Sequence, residues 1–120
     1  MERFAALDLL ATLVLVVQAD DRVLFANASF EDVLGLSRRN LQATDAAELF
    51  VDAPAMRQAL AGARRHDFSA LRFDDQLKRA GAEPFAVHVV VAATDTPDEV
   101  LLELLPLETQ SRQDLSLIHI

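Results

Sequence analysis

The period of the hydrophobic positions changes twice along the chain and divides it into a hairpin, a helical block and a run of strands. Residues 12–18 read T-L-V-L-V-V-Q, a segment rich in β-branched residues and apolar at both alternating positions. This pattern predicts a strand that is covered on both faces. Asp20 and Asp21 then supply turn chemistry, and Val23 to Ala26 continues as a second strand. We therefore expect an amino-terminal β-hairpin.

The first helix of the central block is predicted from its two ends. Asn27 can accept the free amide hydrogens of the residues that follow it, and Gly35 can end a helix in the left-handed conformation. Between them, Phe30, Val33 and Leu34 share one helical face. The residues that define this structural motif are therefore Asn27, Phe30 and Gly35.

Further short helical segments follow the first. Ser37 can cap one turn, and Asp45 with Glu48 forms a pair that resembles a capping box. Residues 52–54 read D-A-P and begin the next helix, because proline is tolerated in a first helical turn. Its inward-facing positions are Met56, Ala59, Leu60 and Ala63.

From Asp67 onward the hydrophobic period becomes two, which is typical of strands. Alternating runs at residues 71–74 and 85–91 flank a loop at residues 80–83. After a second turn, the last strand runs from Val100 to Leu105. The order of elements predicts an α+β fold with short helices on one face of a five-stranded antiparallel sheet.

Residues 1–11 predict a short amphipathic helix. Phe4, Leu7 and Leu10 lie at roughly helical spacing, and Asp8 is expected to face solvent. Because nothing local covers the apolar stripe, we expect this helix to pack over the outer face of the sheet, within one subunit or between two. Phe4, Leu7 and Leu10 are therefore the candidates for a homodimer interface.

Composition narrows the possible partners and compartments. The 120 residues include 11 basic and 19 acidic side chains and no cysteine. A formal net charge of −8 argues against nucleic acid as a partner, and the absence of cysteine excludes disulfides, thiolate metal sites and thiol nucleophiles. The apolar run at residues 9–17 is shorter than the ~18 residues of a membrane span, and Asp8 argues against a signal peptide. We expect a cytoplasmic protein that is not associated with a membrane.

The titratable residues do not form a pattern that predicts chemistry. Neighbouring residues on a strand point in opposite directions, so the acidic pairs at 20–21 and 74–75 are interpreted as a turn and a solvated edge. His66 and His88 lack partners at a ligand spacing. We predict no catalytic residue, no cofactor and no metal. The interior is either tightly packed or holds a small ligand, and the scarcity of polar groups favours packing.

The same residues carry a family resemblance. The run A-N-A at 26–28 followed by F-E-D-V-L-G-L at 30–36 resembles the strand end and helix of PAS domains. More narrowly, the chain resembles the amino-terminal sensor domain of NtrB-type nitrogen-regulation histidine kinases at residues 9–17, at Asp21, in the run F-A-N at 25–27 and in the run V-L-L-E-L-L-P-L-E at 100–108. The resemblance implies a PAS fold over residues 12–106. It also implies a sensory and dimerisation module that signals through protein contacts, with a kinase core and a response regulator as partners.

The resemblance also implies what the chain lacks. Residues 107–114 are expected to begin a linker to a kinase core that is absent here, so the fragment itself should not be an enzyme. Residues 115–120, L-S-L-I-H-I, return abruptly to apolar character and are interpreted as a non-native read-through tail. The alternatives are a stand-alone adaptor of profilin-like topology, a ligand-binding PAS domain of another sensor kinase, and a ketosteroid-isomerase-like enzyme. The enzyme is disfavoured because its usual tyrosine donor is missing.

Overall fold

The computed structural model describes residues 4–107, and these form five strands, three α-helices and two short 3-10 helices. The strands are β1 (Leu13–Val17), β2 (Val23–Ala26), β3 (Leu71–Arg79), β4 (Ala82–Ala93) and β5 (Val100–Pro106). The α-helices are α1 (Ala28–Leu34), α2 (Arg38–Leu41) and α3 (Ala53–Arg64), and the 3-10 helices are Ala5–Leu9 and Ala46–Leu49.

The described strands form one antiparallel sheet in the order β2-β1-β5-β4-β3. Although β1 and β5 are far apart in sequence, they are neighbours, and Leu13 pairs with Leu104. The chain therefore enters β1 and leaves β5 at the same end of the sheet. The α+β class and the five-stranded antiparallel sheet predicted from the sequence are confirmed.

The core lies between the inner face of the sheet and the helical block. All five residues of β1 are buried, as its continuous apolar pattern predicts. On the inner face, Leu15, Leu102 and Val89 come from three different strands and have no exposed surface. The helical side of the same cluster includes Phe30, Phe50, Met56 and Leu60. This packing buries one face of each amphipathic element.

The helix ends follow from the capping residues. Asn27 accepts a hydrogen bond from Phe30 N, and Gly35 ends α1 with φ +69°, a left-handed conformation that a glycine adopts at little cost. Ser37 accepts from Asn40 N at the start of α2, and Asp52 accepts from Ala55 N at the start of α3. Each of these helices begins directly after a residue that the sequence predicts as a cap.

The two edges of the sheet differ. The outer edge of β2 is covered by the loop at residues 42–46: Val23 N donates to Thr44 O, and Ala43 N donates to Val23 O, both at 2.9 Å. At the other edge, β3 is covered only near its carboxyl end, where Val51 N donates to Gln76 O at 2.9 Å. On the side away from β4, the amino-terminal half of β3 has no neighbouring strand among the described residues.

Several elements differ from the sequence prediction. The expected amphipathic helix is a 3-10 helix limited to Ala5–Leu9, and none of its residues is buried. The loop between β3 and β4 is shorter than the predicted segment 80–83, because Gly81 turns the chain with φ +70° and Ala82 already belongs to β4. The proposed linker beyond Leu107 and the proposed tail at 115–120 lie outside the described residues.

Leu102 tests the position of the core. Replacement of its buried side chain in the central strand β5 (Leu102→Ala) should lower the free energy of unfolding by about 2–5 kcal/mol, because a cavity remains. The matched control is Leu36→Ala, at a leucine outside the core that is 41% exposed, which should cost less than about 1 kcal/mol. Urea denaturation measures both, and equal losses would contradict the placement of the core.

Candidate functional site

The amino-terminal cap, defined as residues 4–10, joins the hairpin and α1 at Asn27. The Asn27 side chain is fully buried, and its Oδ1 accepts hydrogen bonds from Val14 N at 3.0 Å and Phe30 N at 3.1 Å. Its Nδ2 donates to Leu7 O at 3.0 Å and Thr12 O at 2.9 Å. One amide thus satisfies backbone groups of the cap, α1 and the start of the hairpin, which is the condition for burying it at low cost.

Asp8 provides a second link from the cap to the domain. Its Oδ1 accepts from Ala28 N at 2.9 Å and from Arg38 Nη2 at 2.7 Å. The Arg38 guanidinium lies 4.4 Å from the centroid of the Phe25 ring, and the centroid of the Phe4 ring lies 5.2 Å from the same point. The sequence predicts that Asp8 faces solvent; in the structure its side chain is 33% exposed and also pairs with Arg38, thirty positions away along the chain.

The structure separates the three residues of the predicted dimer stripe. Phe4 is half-buried against Phe25 of its own chain, and Leu7 is also half-buried. Leu10 is 43% exposed, and its neighbour Leu9, which the helical spacing did not single out, is 86% exposed. Part of the stripe therefore serves the fold of one subunit, and the part nearest β1 presents apolar surface to solvent.

The space between helices and sheet is filled by side chains. Phe30, Phe50, Met56 and Leu60 have no exposed surface and pack in one cluster with the inner strand residues. The larger grooves in the described part of the chain open at the surface. One of ≈ 520 Å³ is lined by the loop after α3 (residues 66–69) and by the end of β4 with the turn that follows (residues 93–95), and another of ≈ 390 Å³ lies between α3 and β3. His66 borders the first of these grooves.

The two members of each acidic pair, at residues 20–21 and 74–75, have side chains that make different contacts. Asp20 Oδ1 accepts from Arg22 N at 3.0 Å and forms the predicted turn, while Asp21 contacts arginines of α3. Asp74 faces the outer side of β3, where its Oδ1 lies 2.8 Å from His88 Nδ1. Asp75 was expected at a solvated edge, but it is half-buried on the inner side of the strand.

An arginine network on α3 ties together segments that are distant in sequence. Arg57 contacts Asp45 at 2.6 Å, Glu48 at 3.2 Å and Asp21 at 3.3 Å. Glu48 therefore pairs with Arg57, while the Asp45 side chain caps the following 3-10 helix by accepting from Ala47 N. The hydrogen bond from Arg57 is the main reason that the pKa of Asp45 lies below its ordinary value, and burial opposes this shift.

Arg64 extends the arginine network to the turns of the sheet. Its Nη1 donates to Asp21 Oδ1 at 2.7 Å, and its Nη2 donates to the backbone oxygen of Gln18 at 2.6 Å. Its Nε donates to the backbone oxygen of Asp98, at 3.1 Å. The carboxyl end of α3 is thus fixed to the turn between β1 and β2 and to the turn before β5.

Neither a cluster of possible metal ligands nor a membrane-spanning helix occurs among residues 4–107. These residues contain no group of three or more histidine or acidic side chains placed to hold a metal ion. None of the helices they form is long and apolar enough to cross a membrane.

The architecture matches a known family. The family model described as PAS fold matches residues 2–105. The chain belongs to the PAS family. No curated protein matches it in sequence. PAS domains of similar fold occur in sensor histidine kinases and in other regulators, including a transcriptional regulator of the LuxR family.

Solved PAS domains resemble this one in fold at low sequence identity. The PAS domain of an HTR-like protein from Haloarcula marismortui is 19% identical, with a TM-score of 0.70 over 85% of this chain and 95% of that one. The PAS domain of nitrogen regulation protein NR(II) from Vibrio parahaemolyticus is 17% identical, with a TM-score of 0.66 over 85% and 94%. A PAS domain of a LuxR family regulator from Burkholderia thailandensis, in complex with ethanol, is 16% identical with a TM-score of 0.70 over 90% and 99%.

Asn27 tests whether the cap is held by the buried amide. Asn27→Ala leaves two backbone oxygens and two backbone N–H groups without their partner, so it should cost about 2–4 kcal/mol of unfolding free energy. Ser37→Ala, which removes one exposed cap bond, should cost about 1 kcal/mol or less. Thermal and urea denaturation of both variants provide the comparison, and similar losses would argue against the role of Asn27.

Asp45 tests the arginine network through pH. Because its pKa is lower in the folded chain than the unfolded value near 3.8, its stabilising contribution is present above that pH and disappears as the pH falls through the folded pKa. Asp45→Asn keeps a cap oxygen but removes the charge, and it should lower stability near pH 7 by about 0.5–1 kcal/mol. The difference from the unmodified chain should shrink as the pH falls below 3.8 and vanish once the Asp45 carboxyl of the folded chain is protonated.

The control for this measurement is Asp52→Asn. Asp52 also caps a helix but forms no ion pair within the described residues, so its substitution should change stability less near pH 7. A pH-independent loss in the Asp45 variant would contradict the charge-based explanation.

Proposed function

We propose that the chain is the PAS sensory and dimerisation module of a nitrogen-regulation sensor histidine kinase, which signals through protein contacts. The observation that carries this proposal is the pairing of Leu13 with Leu104. It brings the segment that follows the amino-terminal cap next to the segment that leads out of β5. A change in the packing of the cap would therefore occur next to the point where the chain leaves β5.

Two similarities support the choice of a nitrogen-regulation kinase. The runs at both ends of the domain resemble NtrB-type sensor domains, and the PAS domain of NR(II) from Vibrio parahaemolyticus shares the fold. In this proposal the parent protein works in the cytoplasm, and its kinase core and a response regulator are the downstream partners.

The surface proposed for dimerisation surrounds this entry and exit. Leu9 and Leu10 of the amino-terminal cap are exposed, and Leu105 near the end of β5 is 38% exposed. Large exposed apolar side chains favour association with another protein surface. Two copies that bury these residues would place their exit segments in a defined relation to each other.

The proposed mechanism uses the rigid links already described. Asn27 and Asp8 fix the cap to the hairpin and α1, and Arg64 fixes α3 to the turn before β5. A shift in the relative position of two copies would therefore move each domain as one unit. The movement would pass through β5 to the segment that follows it, and no covalent bond would be made or broken.

Leu10 tests the amino-terminal dimer contact. Leu10→Glu should raise the dissociation constant of the dimer by about tenfold or more, because it places a charge in an apolar contact. Leu36→Glu is the matched control, since Leu36 is 41% exposed and Leu10 is 43% exposed. Analytical ultracentrifugation over a range of concentrations measures both variants. Equal association in the two variants would contradict the proposed interface.

The intact gene distinguishes the kinase from the adaptor of profilin-like topology. The codons that follow residue 114 should encode a helical segment with a phosphoacceptor histidine and then an ATP-binding domain. A stop codon directly after residue 114 would instead favour the adaptor.

A further inference from the structure

The amino-terminal half of β3 has the features of a strand that pairs with another strand. Gln76 O accepts from Val51 N, so the backbone groups of Gln76 point away from β4. Because this direction alternates along a strand, the backbone groups of Arg72 and Asp74 point toward the same open edge. No backbone hydrogen bond from the described residues reaches them there. We call this stretch, residues 71–75, the β3 edge.

The charges on the β3 edge are complementary to those of a second copy of the same edge. In a two-fold antiparallel pairing centred on Phe73, Arg72 lies directly opposite Asp74 of the second copy, and Asp74 lies opposite Arg72. Both side chains belong to the outer, exposed face of β3, and that of Asp74 is 68% exposed. Opposite charges in directly facing cross-strand positions stabilise a pair of strands.

The inner face of the edge offers apolar surface to the same arrangement. Leu71 and Phe73 are only half-buried. They line the groove of ≈ 390 Å³ described above together with Ala55, Gln58 and Ala59 of α3 and Asp74 at its rim. In the two-fold pairing, the two Phe73 side chains meet on the inner side at the symmetry axis. The grooves of the two copies then join, and each copy covers the half-buried apolar side chains of the other.

The length of the pairing is limited by the chain itself. Val51 occupies Gln76 O, and Asp52 N donates to Asp75 Oδ1 at 3.3 Å, so an added strand cannot continue past residue 75. This limit coincides with the register that places Arg72 opposite Asp74. A slipped register would either meet the segment at 51–52 or place like charges opposite each other.

We propose that the β3 edge pairs with the same edge of a second copy of this chain, in an antiparallel two-fold contact centred on Phe73. This contact goes beyond the proposed function and does not involve the amino-terminal cap. A chain that makes both contacts associates beyond the dimer, since the two surfaces lie on different parts of the domain.

Disulfide trapping in the full 120-residue chain tests the register, because the chain has no cysteine of its own. At the centre of the pairing, the two copies of position 73 form a non-hydrogen-bonded pair with Cα atoms about 4.5 Å apart, which suits a disulfide. Phe73→Cys should therefore form a covalent dimer under oxidised glutathione. Arg72→Cys is the control, because the two copies of position 72 are offset along the strands and lie farther apart than the ~7 Å that a disulfide spans.

The expected result is that the Phe73→Cys variant crosslinks about tenfold faster than the Arg72→Cys variant, although Phe73 is less exposed than Arg72. Random collisions would favour the more exposed position. Equal rates, or a faster rate for Arg72→Cys, would overturn the proposed register.

Charge reversal tests the complementarity in the Phe73→Cys background. Arg72→Asp or Asp74→Arg alone places like charges opposite each other at both symmetric positions, and each should slow crosslinking by roughly tenfold at low salt. The variant carrying both reversals should restore the original rate. Because it also lacks the contact between Asp74 and His88, recovery cannot result from that contact. Failure of this variant to recover would overturn the proposal.

Leu10→Glu distinguishes this contact from the amino-terminal interface. In the Phe73→Cys background, Leu10→Glu should leave the crosslinking rate unchanged, whatever its effect on the dissociation constant measured by ultracentrifugation. Crosslinking that disappears with Leu10→Glu would show that the β3 contact depends on the cap, and would overturn its independence. Circular dichroism of each variant verifies that the fold is retained.

Discussion

The fold depends on the complete hydrogen bonding of one buried amide. Asn27 lies where the hairpin ends and the helical block begins, and its two polar side-chain atoms bind backbone groups from the amino-terminal cap, the hairpin and α1. A buried polar group stabilises a fold only when its donors and acceptors are satisfied. The position of the cap, the start of α1 and the entry into β1 therefore depend on each other.

The arginine network has a comparable role on the far side of the helical layer. Arg57 and Arg64 project from α3 to acidic side chains and backbone oxygens of separate loops. These contacts are partly exposed, so each one contributes little stability by itself. Their effect is mainly geometric, because they fix the direction of α3 relative to the sheet.

Local patterns in the sequence predicted most of the fold. Strand alternation and the caps at Asn27, Ser37 and Asp52 depend on residues within a few positions, and the structure has those elements at nearly the predicted bounds. The sequence did not indicate that Asp8 would pair with Arg38, or that α3 would carry the arginine network. Such pairs join residues that only the tertiary fold brings together, and on a sequence they look like solvated charges. The amino-terminal cap was also misjudged in type, since a spacing of three residues fits a 3-10 helix as well as an α-helix.

The unequal protection of the sheet margins restricts how this domain can assemble. Residues 42–46 occupy the backbone groups at the β2 side, whereas the start of β3 is open. A strand can therefore be added at the β3 edge only. Two domains joined through their β3 edges have no other open sheet edge in the part of the chain that the structure describes, because the β2 edge of each is covered. Strand-by-strand growth of the sheet past β2 is blocked by the loop that follows α2, so this loop limits edge-to-edge association as well as completing the fold.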